Sequence, residues 1–325
     1  MKLRNFCLAL CALLVACSEQ APTQSSIPPE EVLQRATRAV QTLDSAQYVL
    51  QGDFDMKSNT FAAIGTARMD GMLASGGEQL RFQLDLTADI DSFEGPSSIA
   101  GTLEVVVISE EEVYMNIHSL SSQPSSTLFR PEMIGVIAGK WWLLSEGDTP
   151  PAVESVSPDP RLLQAQAQVV SVTRDRGMTT INGRDVHHYD VALDTEKLVA
   201  YLSAVAEENG GEFDAAEVRK EVKAIEASGQ LWIDAETYYV QKIEWVVQSL
   251  PINRGGAASV KFTITFRNHN DAPAIVPPKD AKQFSPTMFF GLPDDARFPE
   301  EIEYEQSPRI DNQKINELIQ QMNTL

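Results

Sequence analysis

The sequence predicts an α+β protein whose core is a large antiparallel β-sheet with one apolar and one polar face. Residues 229–267 contain three successive strand-like runs, and in the last of them apolar side chains alternate with Lys, Thr and Arg. Residues 80–90 show the same alternation, with Leu, Phe, Ala or Ile at every second position. Successive side chains of a strand point to opposite faces, so both stretches place an apolar strip on one side of a sheet.

The first half of the chain begins with a helix and continues with strands. Pro28-Pro29-Glu30-Glu31 opens the helix, because proline and acidic residues are favoured in a first turn. After it the apolar period changes from helical spacing to two. The predicted strands begin near residues 46, 60, 80, 103, 113 and 139. Residues 119–138 and 145–160 are predicted to be loops, the first of which contains a short helix at 133–138.

The second half adds a hairpin and two helices before the three strands at 229–267. Asn182-Gly183 separates two strand-like runs, at 169–181 and 186–193, and is a strong hairpin signal. Apolar residues at helical spacing predict helices at 195–208 and 214–227.

The N-terminus resembles the export signal of bacterial lipoproteins. Lys2 and Arg4 precede an unbroken apolar run at 6–16, which is too short to span a bilayer as a helix. The run ends in Leu14-Val-Ala-Cys17, similar to the lipobox at which such proteins are cleaved before the cysteine and acylated on its thiol. The resemblance implies lipidation of Cys17. An ordinary signal peptide with an incidental cysteine is the alternative.

Charge and cysteine content exclude several classes of function. The chain carries 46 acidic and 26 basic residues, a net charge of -20. Such a surface repels phosphate backbones, so nucleic acid is not an expected partner. The three cysteines are Cys7, Cys11 and Cys17, so the body of the chain has neither a disulfide framework nor a thiolate metal site.

The sequence contains no recognisable catalytic constellation, and we expect no enzyme, cofactor or metal. There is no G-x-S-x-G motif. His187 and His188 are neighbours in a predicted strand and point to opposite faces, so they cannot share one metal ion. The acidic clusters lack the spacing of a calcium loop. Paired carboxylates of the glycosidase kind stay open, because their separation is spatial rather than sequential.

A series of motifs in residues 30–280 resembles a bacterial lipoprotein superfamily. In chain order, these motifs are Gly139-Lys-Trp-Trp, the Asn-Gly hairpin, His187-His-Tyr-Asp-Val-Ala-Leu-Asp, Leu231-Trp-Ile-Asp and Phe262-Thr-Ile-Thr-Phe-Arg. This order is similar to the LolA/LolB-type and LppX/LprG-type lipoproteins. The resemblance implies a half-barrel, in which one strongly bent antiparallel sheet carries helices packed on its concave face. It also implies an apolar cavity, since several members carry lipids or lipoproteins, while others act as stress sensors.

The apolar strand faces must be covered. Burying one Leu or Phe side chain is worth about 1.5–3 kcal/mol. Summed over several such side chains on several strands, this free energy exceeds the net stability of a domain, which is about 5–15 kcal/mol. The cover is either the predicted helices alone, giving a filled core, or the helices together with a bound hydrophobic molecule. The side chains expected to line such a molecule are Leu80, Phe82, Leu84, Leu86, Ile243, Trp245, Phe262 and Ile264.

The expected organisation is a signal peptide at 1–16, a lipidated flexible tether at 17–29, a half-barrel domain at 30–280 and a Pro- and Phe-rich extension at 281–325. The expected function is that of a lipid-anchored extracytoplasmic binding protein, on the periplasmic or cell-surface side, that holds a lipid or acyl chain. The alternative is an envelope structural, interaction or sensor lipoprotein with a filled core. Its protein partner would bind the surface or the C-terminal extension.

Overall fold

The computed structural model describes residues 27–284 apart from 94, 110, 125–130, 145–168, 209–212, 224 and 253–255. The helices of this part are α1 Pro29–Val40, α2 Pro131–Ile137, α3 Thr195–Glu208 and α4 Ala215–Lys223. The first six strands are β1 Ala46–Lys57, β2 Phe61–Ala74, β3 Gln79–Ser92, β4 Gly95–Val107, β5 Val113–Gln123 and β6 Trp142–Leu144. The other six are β7 Val170–Ile181, β8 Arg184–Leu193, β9 Glu226–Asp234, β10 Val240–Ile252, β11 Gly256–Arg267 and β12 Lys282–Gln283.

All twelve of these strands belong to one sheet, in the order β12-β6-β5-β4-β3-β2-β1-β11-β10-β9-β8-β7. Strands β1 to β6 form one antiparallel meander and β7 to β11 form a second, and β1 pairs with β11 where the two meet. Only the short β12 pairs in parallel, with β6. The predicted α+β class with a single large, bent sheet of the half-barrel kind is therefore confirmed.

The strand register separates the side chains into two faces. Tyr48 lies opposite Gly71 on β2 and Phe266 on β11, and Leu50 lies opposite Met69 and Ile264. The side that carries these residues is called the apolar face. The other side, with Lys, Thr, Asp and Arg at the intervening positions, is called the polar face. The alternation in the sequence is thus the alternation between the two faces.

Helix α1 packs on the apolar face. It begins at Pro29, has Glu30 and Glu31 in its first turn, and buries Val32 and Ala36. Both buried residues belong to the same core cluster as the side chains of the sheet. The helix ends at Val40, because the chain there must turn into β1.

Two segments differ from the sequence prediction because strand pairing overrides their local pattern. Residues 119–123, predicted as loop, continue β5 and pair with residues 98–102 of β4 beyond a register shift. Helix α4 ends at Lys223 rather than at residue 227, because residues from Glu226 onward already pair with β10 as β9. Local composition carries no information about either long-range partner.

The predicted hairpin at Asn182-Gly183 is present. Asn182 has φ 51° and Gly183 has φ 79°, as a two-residue turn of this kind requires, and β7 and β8 pair on either side of it. Strand β7 is the edge of the sheet. Its two register shifts and the exposed Arg174, Asp175 and Arg176 protect that edge from pairing with another chain.

Candidate functional site

Seven of the eight predicted lining residues lie in or against one packed core. Phe82, Ile243, Trp245 and Ile264 are buried members of the cluster that includes α1, and Leu80, Leu84 and Phe262 pack against it half-buried. The structure therefore brings these residues together on the apolar face, as the alternation predicts. Leu86 lies on the same face but outside the cluster, half-buried.

The apolar face continues past this core. Beyond Leu84 and Phe262, the strands carry a further set of apolar side chains that are half-buried and do not belong to the cluster. This set is called the open end of the apolar face, and it consists of Phe54, Met56, Leu86, Ile90, Ile99, Val247 and Val260. The boundary between the filled core and the open end thus passes through the predicted set, between Leu84 and Leu86.

Aromatic rings on this face lie over glycines of the neighbouring strand. A Cβ atom on Gly65 would overlap the ring of its cross-strand partner Phe54. A Cβ atom on Gly229 would come 3.0 Å from the ring of its partner Trp245. Glycine within a strand often marks such a close approach. The paired Gly and aromatic positions are a signal that the sequence contains but that becomes readable only once the register is known.

A groove crosses the polar face, where the sequence predicted no site. It has a volume of about 860 Å³ and runs from β10 across the central strands to β5. Hydroxyl and carboxylate side chains contribute to its lining, among them Asp53, Thr66, Thr87, Asp89 and Ser98. The hydroxyls of Thr66 and Thr87 are 2.8 Å apart and bond to each other. The lining also includes apolar side chains, namely Ile64 and Val246 of the polar face and Phe54, Ile99, Val247 and Val260 of the open end.

The adjacent histidines point to opposite faces, as predicted. His188 lies on the polar face, stacked on Trp232 at 4.4 Å between ring centroids, and its Nε2 bonds Gln230 at 2.8 Å. His187 lies on the apolar face beside Tyr189, with ring centroids 6.1 Å apart and planes 5° from parallel. The two imidazoles cannot ligate one ion.

His187 and Tyr189 are buried polar groups in an apolar setting. Their exposed fractions are 4% and 0%, and neither the Nδ1 of His187 nor the hydroxyl of Tyr189 has a hydrogen-bond partner among the described residues. Burial lowers the pKa of His187, partly opposed by Asp175, and raises the pKa of Tyr189 together with the charges of Asp175 and Glu30. Both side chains are therefore neutral at neutral pH.

The described residues contain no group of three or more His, Cys, Asp or Glu side chains that could hold a metal ion. Within the same residues, no helix is both long and apolar enough to cross a membrane.

Two predictions concern residues outside the described part. Cys17 and the signal peptide lie before residue 27, and Phe289, Phe290 and Phe298 of the C-terminal extension lie after residue 284. The start of that extension does join the sheet. Strand β12 lies at Lys282–Gln283, and the ring of Phe284 packs edge-on against Trp142 with centroids 6.2 Å apart.

No protein-family model matches the chain, and no curated protein matches it either. Among solved structures, the chain is similar to LprF from Mycobacterium bovis, with a TM-score of 0.37 and 16% identity over 79% of this chain and 100% of that one. It is also similar to the lipoprotein LppX from Mycobacterium tuberculosis, with a TM-score of 0.31 and 9% identity over 77% and 100% of the two chains. A DUF1329 family protein from Desulfovibrio piger is similar with a TM-score of 0.20 and 10% identity, over 75% of this chain and 92% of that one. LppX is of the type that the sequence resembles, and the fold assignment itself depends on the strand order and register described above.

Proposed function

We propose that this chain is a lipid-anchored extracytoplasmic binding protein that holds a hydrophobic molecule, a lipid or an acyl chain, against the apolar face of its half-barrel. The observation that carries the proposal is the open end of the apolar face. There the strands keep presenting Phe, Ile, Val and Met side chains after the packed core has ended.

The energetics favour an apolar occupant for this surface. Apolar surface removed from water is worth about 25 cal/mol per Å². Covering the surface that a half-buried Phe or Ile side chain still exposes would therefore be favourable. The open end joins the core without a break, at Leu86 beside Leu84, so an elongated molecule lying on it would continue the core.

The anchor and the address follow from the resemblance of residues 1–17 to a lipoprotein signal. Two or more acyl chains on Cys17 would hold the chain stably at a membrane surface. The partners in this proposal are the membrane, through the anchor, and a lipid ligand. Neither catalysis nor a cofactor is part of it.

A second candidate function is supported by the packing of the core. Four of the eight predicted lining residues are buried in the cluster with α1, so that part of the face is already filled. The groove of about 860 Å³ has a mixed lining, in which Asp, Thr and Ser side chains lie beside apolar ones. An envelope lipoprotein that binds a protein partner, with no lipid ligand, would have these two features.

Mass spectrometry of the protein from its native membrane distinguishes the two functions. The full-length protein is captured and washed, and its non-covalent lipids are extracted with organic solvent. The acyl groups on Cys17 stay attached to the chain in this step. The proposal predicts about one extractable lipid per chain. An extract no richer in lipid than that of an unrelated membrane-anchored lipoprotein would favour the interaction function instead.

A further inference from the structure

The groove on the polar face continues into a second groove. The first has a volume of about 860 Å³ and the second of about 680 Å³, and all of their lining residues belong to strands. They share a row of side chains that crosses the sheet from β5 to β11, at Ser121, Ala100, Thr87, Thr66, Asp53 and Lys261. The two grooves together are called the polar trough. Small Ser, Ala and Thr side chains form the middle of its floor.

An exposed apolar side chain lies in the trough between two carboxylates. Ile64 is 58% exposed and is the direct cross-strand partner of Asp55 on β1 and of Asp89 on β3. Neighbouring strands are about 4.8 Å apart, so the two acids are roughly 10 Å from each other with Ile64 between them. Asp55 also pairs with Lys57, but at an exposed position where such a pair contributes little. This surface matches a Lys or Arg side chain, whose alkyl stem packs on apolar surface while its charged head meets an acid.

The trough has an excess of negative charge. Its lining contains four carboxylates and two basic side chains, which are Asp53, Asp55, Asp85, Asp89, Arg68 and Lys261. Arg68 is already paired with Asp70, which lies outside the lining, at 2.7 Å. Neither Asp53 nor Asp89 forms an ion pair within the described part of the chain, and both are exposed. Like charges repel, so the trough favours cations that another molecule brings.

The carboxylates are spaced for an extended polypeptide. On β1, Asp53 and Asp55 are two residues apart, so they point to the same face about 7 Å from each other. On β3, Asp85 and Asp89 form a second row on the other side of β2. An extended chain repeats its side chains with the same period of two residues. A segment that lies along β2 would therefore bring every second side chain between the two rows of acids.

We propose that the polar trough binds an extended basic segment of another protein, with Lys or Arg at alternate positions. This inference goes beyond the proposed function, because it concerns the other face of the sheet and needs no lipid ligand. The C-terminal extension of the same chain is an unsuitable occupant on charge grounds. Residues 285–325 contain 8 acidic and 3 basic residues, so the acids of the trough repel them.

Fluorescence anisotropy tests the proposal with two labelled peptides. The full-length protein in dodecyl maltoside is titrated, at low salt, into a peptide of alternating Lys and Thr or into one of alternating Glu and Thr. The wild type should bind only the basic peptide, and more weakly at high salt, because salt screens exposed charges. Asp53→Asn combined with Asp89→Asn should weaken this binding about tenfold, the effect of losing two partly exposed ion pairs.

Glu111 and Glu112 provide the matched control. They are exposed at the turn between β4 and β5 and do not line the trough, and Glu111→Gln combined with Glu112→Gln removes the same charge. This variant should bind the basic peptide as the wild type does. Ile64→Ser keeps every charge and should weaken binding about fourfold, the value of one buried methylene group. Melting curves of the three variants show whether each protein is folded.

The outcomes decide where the basic peptide binds. If the two double variants lose the same affinity, the peptide is attracted by the net charge of the whole chain, and the trough is not its site. A wild type that binds neither peptide at low salt overturns the proposal as well. Neither result affects the lipid-binding function, which the extraction experiment tests separately.

Discussion

The ring of Tyr48 occupies the space that a side chain on Gly71 would need. The two residues are direct cross-strand partners on β1 and β2, and a Cβ atom on Gly71 would overlap the Cζ and hydroxyl oxygen of Tyr48. Tyr48 is 1% exposed and cannot move away, because its ring is enclosed by the core. The same arrangement at Phe54 and Trp245 shows that glycines at these positions let large aromatic rings lie down on the sheet.

The first prediction follows from this pair. Gly71→Ala should destabilise the protein by about 1–3 kcal/mol, the usual cost of overpacking a well-packed core. Thermal unfolding followed by circular dichroism measures the effect, expected at roughly 2–4 °C of melting temperature per kcal/mol for a domain of this size class.

Gly135 provides the matched control for that substitution. It lies in α2, and a Cβ atom there would meet nothing within 4 Å. Gly135→Ala should leave the stability unchanged or raise it by up to about 1 kcal/mol, because alanine is the better helix former. Equal melting temperatures for the two variants would contradict the role given to the Tyr48 ring.

The second prediction concerns Asn270, which joins the end of α1 to the start of β1. Its Oδ1 accepts a hydrogen bond from the backbone N–H of Asp44 at 2.7 Å, and its Nδ2 donates to the hydroxyl of Tyr239 at 2.9 Å. Asn270→Gly keeps the backbone freedom that its φ of 58° requires but removes these bonds. We expect a loss of about 1–3 kcal/mol in urea unfolding.

Asn268 is a suitable comparison, since it has a φ of 54° and its side chain makes one exposed bond, to Gln47. Asn268→Gly should cost less than about 1 kcal/mol. A similar loss for both variants would mean that the fixed backbone, and not the hydrogen bonds of Asn270, provides the stability.

The third prediction is a pH dependence that originates in two histidines, the buried His187 and the half-buried His269. Burial lowers the pKa of both His187 and His269, while in the unfolded chain they titrate near pH 6.5. At a pH between the lower pKa of these histidines in the folded protein and their pKa in the unfolded chain, the unfolded chain binds more protons than the folded one. The stability therefore falls as the pH drops below about 6.5. The melting temperature should therefore decrease from pH 7.5 to pH 5.5.

The melting temperature of the variant His187→Phe should decrease less between pH 7.5 and pH 5.5, because one of the two titrating histidines is removed. His269 keeps the rest of the dependence. Between pH 7.5 and 8.5 the curves of wild type and variant should run parallel, since both histidines are neutral in either state. An unchanged slope between pH 7.5 and 5.5 in the variant would show that His187 is not one of the groups responsible.

The sequence predicts the faces of the sheet better than it predicts the extent of the core. Alternation at Leu80 to Ile90 assigns every side chain of β3 to the correct face, because the period of a strand is fixed by its geometry. It cannot say that the core ends between Leu84 and Leu86, since that depends on where α1 lies. Nor does it indicate the partners of residues 119–123, which pair only through tertiary contacts.

The fourth prediction concerns the anchor. Cys17→Ser should abolish incorporation of a fatty-acid analogue into the protein in cells, because the lipobox resemblance makes this thiol the acylated atom. Cys11→Ser, six residues earlier, is the control and should leave labelling intact. Labelling that persists in Cys17→Ser would show that the acyl chain is attached elsewhere or that the signal is of the ordinary type.

The last prediction uses one substitution at two depths of the apolar face. Leu84 packs against the core and lies opposite the buried Met69, so Leu84→Trp should overfill the site and cost about 1–3 kcal/mol. Val260 is half-buried at the open end, opposite Phe54, and Val260→Trp adds its ring to surface outside the core cluster. Its stability should stay within about 0.5 kcal/mol of the wild type. If a lipid lies on the open end, the indole takes its place, and the lipid extracted from Val260→Trp should fall well below one per chain. If Val260→Trp loses as much stability as Leu84→Trp and the parent protein yields no lipid, the open end is part of a filled core and the binding function is wrong.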